Sequence, residues 1–259
     1  MAHGTTKFTM GYWQMRGLGA AIRMMLHYGV GEEQFEDVQF TQDNEGLGNW
    51  FSSLKPKMIK EKNVLANIPY LIDHSEDDKT VVHFNSICLY LGNKFGIDAG
   101  DVGSEQFLRN MQILNEVMDI RNQVIRLVYT FPNATRTKEE FDEALPKHLE
   151  ATKKSFEKLE AWLNFHGSKY FAKDTISSCD FHAFEMIDQH EYYRTLLKSD
   201  DKNVSMLESF PRLKKFWEDV KNEPKLTSYF NSKEYLEFDM NNHRLAKTWC
   251  GPSRNGGKY

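Results

Sequence analysis

Cysteine is scarce in this chain: three of 259 residues, Cys88, Cys179 and Cys250, scattered along its length. No two of them stand as a CxxC pair, which excludes thiol–disulfide exchange by that route, and they do not make a metal site. An odd, dispersed set of this kind suits a reduced compartment. Long apolar runs are missing as well. None approaches the ~20 residues of a membrane span, so no membrane association is expected. The segment Met1 to Lys7 lacks the apolar core of a signal peptide, which makes a cytoplasmic location the expectation. Excess positive charge is absent too: the net charge is −4, and no basic cluster alternates with aromatic residues. Nucleic acid is therefore not an expected partner.

What is present is a balanced globular composition, 40% apolar and 27% charged, in a chain long enough for one large domain or two ordinary ones. Its two parts differ in pattern. Phe8 and Met10 alternate into Tyr12 as a strand; Leu18, Ala21, Ile22, Met25 and Leu26 recur at helical spacing, with Gly29 closing that helix. Val38 and Phe40, then Tyr70 to Ile72, then Thr80 to His83 predict three more strands, and a helix follows over Asn85 to Phe95. Beyond Gly96 to Gly103, which reads as a linker, the pattern is helical throughout. Phe107, Met111, Leu114, Met118, Ile125 and Val128 mark one long helix ending before Pro132. Thr137 and Glu140 have capping-box spacing, and Pro146 predicts a kink or restart in the helix they open. Leu149, Phe156, Leu159 and Leu163 continue its stripe. Ser177 and Asp180 cap another helix, with Ile176 and Phe181 placed as a hydrophobic staple. Shorter helices are expected over Pro211 to Val220 and Pro224 to Phe230, then a loosely packed polar tail from Asn241. The fold class expected is α/β plus all-α, with domains at 1–95 and 104–259 and the linker at 96–103.

The stretch Met10-Gly-Tyr-Trp-Gln-Met-Arg-Gly-Leu18 lies at the turn between the first strand and first helix. A tyrosine hydroxyl aimed at a bound thiol donates to the thiolate and favours the charged form. A thiol starts near pKa ~8.5; a drop of about two units is about 2.7 kcal/mol of differential stabilisation and makes most of it nucleophilic at neutral pH.

The string GYWQMRGLGAAIRMMLHY resembles the N-terminal motif of mu-class glutathione transferases, at Tyr12, Trp13, Arg16-Gly17-Leu18 and Ile22-Arg23. The resemblance resumes at Asn67-Ile-Pro-Tyr-Leu-Ile-Asp73, Asn85 to Tyr90, Met118-Asp119, Ile176 to Phe181 and Phe210 to Leu213, and weakly at Ala246 to Gly251. It covers nearly the whole chain. It implies a thioredoxin-like N-terminal domain that binds glutathione as co-substrate, with no metal, followed by an all-helical C-terminal domain, in a homodimeric detoxification enzyme.

Residue by residue, the resemblance implies that Tyr12 is catalytic and that Trp13, Leu18 and Trp50 contact glutathione. Lys55, with Lys57 as the alternative, would pair with the glycine carboxylate; Leu47 stands where the family often has arginine. Asn67, Ile68 and Pro69 imply a cis Ile68–Pro69 bond, a rare geometry that serves tight turns, with Ile68 pairing the cysteinyl backbone as an added strand would. His83 and Phe84 occupy the γ-glutamyl positions, where the family has an acidic or amide residue and a serine. The lost hydroxyl removes a hydrogen bond worth about 1.5–3 kcal/mol to a charged group. Phe84 either leaves the helix N-terminus to hold the carboxylate or fills the pocket, and Ser86 substitutes if the helix begins two residues late. Asp119 implies a contact across the dimer to the glutamyl amine. Met15 and Tyr129, with Leu18 and the helix around Arg126, imply the pocket for an apolar electrophile, Tyr129 donating to charge that develops on it.

The function implied is conjugation of glutathione to apolar electrophiles. The alternative is a catalytically weak or inactive relative serving as a binding or scaffold subunit for a partner protein, which the altered His83-Phe84 pair and a loop after Trp50 about four residues longer than expected would suit.

Overall fold

The computed structural model describes residues 6–41, 49–129, 134–246 and 248–251. Leu47, Pro132 and the tail from residue 252 lie outside them.

Four strands and three helices make the first part. Strand β1 (Phe8–Trp13) leads into helix α1 (Gly19–Gly29) and strand β2 (Phe35–Phe40). A π-helical turn over Asn49–Leu54 continues into helix α2 (Lys55–Glu61), and β3 (Tyr70–Asp73), β4 (Lys79–Val82) and helix α3 (Phe84–Lys94) follow. The sheet order is β2-β1-β3-β4, with β1 parallel to β2 and antiparallel to β3. That is the thioredoxin-like arrangement expected. Alternation along β1 sorts the two faces: Phe8, Met10 and Tyr12 enter the main core, while Thr9, Gly11 and Trp13 face the opposite side. There a second apolar cluster gathers Phe40, Trp50, Met58, Ala66, Tyr70 and Val82. Gly11 has no alternative, because the Tyr70 ring lies where a Cβ would stand.

The helical part comprises α4 (Glu105–Val128), α5 (Lys138–His166), α6 (Ser178–Thr195), α7 (Pro211–Lys221) and two short helices, α8 (Thr227–Phe230) and α9 (Lys233–Leu236). The capping box at α6 forms as the sequence requires: Asp180 Oδ2 accepts the Ser177 N–H at 2.6 Å, and both Ile176 and Phe181 are buried. At α5 Thr137 caps the Glu140 N–H at 3.2 Å.

Three expectations are corrected. Helix α5 continues through Pro146 and does not restart there; Phe141, Leu145 and Leu149, buried on both sides of it, offset the ~3 kcal/mol that an interior proline costs. The buried stripe of α4 is rotated from the one anticipated: Ile113, Val117, Ile120 and Val124 join Leu114 and Val128 inside, while Met111, Met118 and Ile125 are only half-buried. The tail is not loose as far as Gly251. Asn241, Asn242, Ala246, Thr248 and Trp249 are buried, and Trp249 packs on Tyr192 and Tyr193. One apolar core runs through both parts, joining Ile22, Leu71 and Leu91 to Val117, Phe181 and Leu213.

Candidate functional site

Tyr12 sits near the C-terminal end of β1, buried, with its oxygen 3.3 Å from the Leu18 backbone N–H, which donates to it. The proton on the phenol is not used in that bond. Gly17, at φ +40°, turns the chain beneath the ring, and a Cβ there would come within 3.0 Å of the Tyr12 oxygen. Glycine is required by both the backbone angle and the space.

The turn is pinned from behind by charge. Arg16 makes a two-point contact with Glu185 on α6, Nε to Oε1 at 3.0 Å and Nη2 to Oε2 at 2.7 Å, and Nη2 also reaches Asp188 at 2.7 Å. Burial opposes the guanidinium charge, but the two carboxylates outweigh it and push the arginine above its ordinary range. Arg23 is held likewise by Asp37 at 2.7 Å, and its Nη1 donates to the Met15 carbonyl at 2.7 Å. These fully paired cations fix the path of residues 13–18 from two sides. The motif's two arginines thus support the site from outside it.

Across the sheet, the Ile68–Pro69 bond is cis, immediately before β3, and Gly11 pairs with Tyr70. Asn67 is exposed and Ile68 half-buried beside the end of β1. Trp13 is half-buried, edge-on to Phe40 and tilted against Phe51. Lys55 stands half-buried at the start of α2, its ammonium 5.7 Å from the Phe51 ring centre, while Lys57 is exposed.

Trp50 and Phe84, both implied for glutathione, have buried rings. Trp50 is completely buried, stacked on Tyr70 at 5.9 Å, so the ring belongs to the second apolar cluster and is not presented to a ligand. Its indole N–H has no partner among the described residues. Phe84 does not fill a pocket: its ring turns into the interior and meets His182 of α6 edge-on. His83, at φ +69°, is exposed and caps α3, which begins at Phe84, so Ser86 lies within the first turn and not at its start. The helix N-terminus and its free N–H groups remain available to an anion beside exposed His83.

Tyr129 closes the C-terminal end of α4, buried, and its oxygen accepts the Asn242 N–H at 3.1 Å. Burial, first, and the nearby Tyr12 hydroxyl push its phenol up to about 12. Met15 is buried as well. The strap over both tyrosines is the tail: the Arg16 and Gly17 N–H groups donate to the Asp239 and Met240 carbonyls at 2.7 and 3.1 Å, and Tyr129 pairs with Ala246 as an isolated bridge. Sequence reasoning missed this strap; the apolar Met240, Ala246 and Trp249 among the polar residues were the available signal. Asp119 lies elsewhere, exposed on α4, in a cavity of about 440 Å³ between α4 and α5 that Glu116, Lys158 and Trp162 also line. Among the described residues no group of three or more His, Cys, Asp or Glu could hold a metal, and no helix is long and apolar enough to cross a membrane.

Comparison with known proteins agrees with this geometry. Residues 118–233 match the family described as the glutathione S-transferase C-terminal domain. Glutathione S-transferase Mu 2 of Rattus norvegicus is 30% identical over 233 residues, 88% of this chain and 92% of the relative. Glutathione S-transferase Mu 1 of Oryctolagus cuniculus is 29% identical over 248 residues, 94% and 98% of the two chains. The crystal structure of the glutathione S-transferase Blo t 8 superposes with a TM-score of 0.70 at 25% identity, covering 90% of this chain and 95% of that one. The chain belongs to the glutathione S-transferase family, and its resemblance is to the mu class.

Proposed function

We propose that this protein conjugates the glutathione thiolate to small apolar electrophiles, with Tyr12 donating its phenolic proton to the sulfur. The observation that carries the reading is the Tyr12 hydroxyl itself. It stands at the β1–α1 turn with its oxygen oriented by Leu18 and its proton uncommitted to that bond, at the end of the strand that pairs with β3. Trp13, Leu18, Asn67, Ile68 and the α3 N-terminus at His83 surround that turn and form the binding side, with Lys55 at its edge. Residues 1–95 act as the glutathione-binding unit, 104–259 as the helical unit, joined at 96–103.

The electrophile approaches from Met15 and Tyr129. Because the tail covers both, the strap must shift to admit anything larger than a small molecule. A hydroxyl at Tyr129 favours additions that put charge on oxygen, as with epoxides and enones. Pairing of two copies is supported by the exposed Val64 and Leu65, 78% and 64% accessible, just before Asn67, and by the groove holding Asp119. In a homodimer Asp119 would serve the neighbour's glutamyl amine. The reading places the protein in detoxification in the cytoplasm.

The buried Trp50 and inward-turned Phe84 favour the second reading, a scaffold that no longer binds glutathione. Purified protein on immobilised glutathione, with chlorodinitrobenzene conjugation beside it, separates the two. Retention and turnover are expected; neither would leave the scaffold. Tyr12→Phe should cut turnover at least about tenfold with glutathione affinity nearly unchanged, and equal turnover would remove Tyr12 from its role.

A further inference from the structure

On the sheet face opposite Tyr12, a hydroxyl, an imidazole and a carboxylate stand in series. Thr9 lies three residues before Tyr12 on β1, about 10 Å along the strand and on the other side of it. Its Oγ1 is 2.8 Å from Nε2 of His74, and His74 Nδ1 is 2.7 Å from Oδ1 of Asp78. Three local features bring them together. The His74 N–H donates to the Lys7 carbonyl at 2.9 Å, tying the end of β3 to the start of β1. Asp77 and Asp78, at φ +52° and +54°, fold the chain back so that Asp78 returns to His74. Parallel register then sets Glu36 beside Thr9 as its partner on β2.

With the Nδ1 proton donated to Asp78, Nε2 is free to accept the Thr9 hydroxyl. This is the relation that activates a hydroxyl nucleophile: base within hydrogen-bond reach, base oriented by a third group. The one proton of the Thr9 hydroxyl is also placed to be donated to Glu36 Oε2 at 3.1 Å, so the hydroxyl must turn from that carboxylate to Nε2 before it reacts, and Lys62 donates to the other Asp78 oxygen at 3.4 Å. A cavity of about 690 Å³ opens over the hydroxyl, lined by Thr6, Lys7, Thr9, Glu36, His74 and Ser75.

We propose that Thr9 and His74, positioned by Asp78, form a second site that hydrolyses small carboxylic esters without glutathione. Oγ1 bonds to the ester carbonyl carbon as its proton passes to Nε2, and Lys7, which also lines the cavity, is the cation for the oxyanion formed there. The tetrahedral adduct breaks its C–O bond, and the alcohol departs with the proton from the imidazolium. Water then attacks the acyl-threonine, giving a proton to His74 and then restoring it to Thr9 as the carboxylic acid leaves. Glu36 and Asp78 disfavour anionic esters, so the substrates are neutral or cationic.

The test uses the full chain and 4-nitrophenyl acetate with glutathione omitted. A burst of one nitrophenolate per chain is expected, with one acetyl group on the peptide carrying Thr9. Thr9→Val and His74→Asn should each slow hydrolysis at least about tenfold, while Thr9→Ser keeps it. Asp78→Asn should slow the burst and Asp78→Glu retain it, a contrast that loss of packing at this exposed position would not give. Chlorodinitrobenzene conjugation, which depends on Tyr12, should be unchanged in Thr9→Val and reports the fold independently. Hydrolysis no faster than the blank, hydrolysis within twofold of wild type in Thr9→Val, or acetylation elsewhere would each overturn the proposal.

Discussion

Phe84 and His182 meet edge to face, their ring centres 4.5 Å apart at 68°, at the point where α3 of the sheet domain rests on α6. Phe84 is 4% exposed and His182 fully buried. The position that the family gives to a ligand-binding serine is here a contact between the two halves of the chain. Phe84→Ser should therefore act first on stability. Truncating a buried aromatic ring costs about 3–5 kcal/mol, and the urea midpoint should fall accordingly. An unchanged midpoint would place the ring outside the interdomain core.

His182 also sets an acid limit. Neither ring nitrogen has a partner among the described residues, and burial, with Arg121 adding to it, holds the imidazole down at about 3. Burial holds His148 near 3 and His190 near 4 in the same way, and those two rings stack at 5.2 Å. An imidazole depressed in the folded state takes up a proton on unfolding as soon as pH drops below about 6.5. Stability from these histidines is complete above that value and is lost progressively towards pH 3–4. Asp180, pushed up to about 7 by burial, works in the opposite direction. Comparing wild type with His182→Phe cancels that contribution. The variant's stability should decline less steeply between pH 6 and 4, by up to about 1.4 kcal/mol per pH unit. Parallel curves would mean that His182 titrates normally.

Tyr12 depends on Gly17 as much as on its own hydroxyl. Gly17→Ala forces a side chain into φ +40° and against the tyrosine ring and oxygen. A loss of at least about tenfold in kcat with KM for glutathione little altered is expected, since displacing a reacting group by about 1 Å costs on the order of a hundredfold. Steady-state kinetics with glutathione varied decides it; an unaffected kcat would show that the turn relaxes without moving the phenol.

Local rules made much of this legible in advance. Alternation at Phe8, Met10 and Tyr12 and the Ser177–Asp180 box concern neighbours within four residues, and both formed as read. The cis bond at Pro69 was inferred from a motif and is present. What the chain order hid was contact between distant segments. Nothing near Trp50 announces that Tyr70 will stack on it, and nothing near Phe84 announces His182, 98 positions later. Tail residues Asn241 and Asn242 looked solvated by composition, yet the Asn241 amide donates to the Tyr193 hydroxyl at 3.0 Å and the Asn242 N–H to Tyr129. Polar residues are buried where their hydrogen bonds are met, and those partners lie 48 and 113 residues away.

Tyr129 is where strap and electrophile compete. Its oxygen satisfies the buried N–H of Asn242, and Asn242 Oδ1 in turn accepts the Arg244 N–H at 3.0 Å, shaping the turn that brings Ala246 back to Tyr129. Tyr129→Phe leaves that backbone donor unpaired, a cost of about 1–3 kcal/mol borne locally by the strap. Hydrogen exchange across residues 239–251 should accelerate while α5 and α6 keep their protection. Conjugation of an epoxide, where charge grows on oxygen, should slow at least about tenfold; substitution at chlorodinitrobenzene, where charge spreads into the ring, should not. If exchange in the strap is unchanged, its anchorage lies at Trp249 and Thr248 instead. If both reactions slow equally, the phenol is acting on access to the site and not on the oxygen of the electrophile.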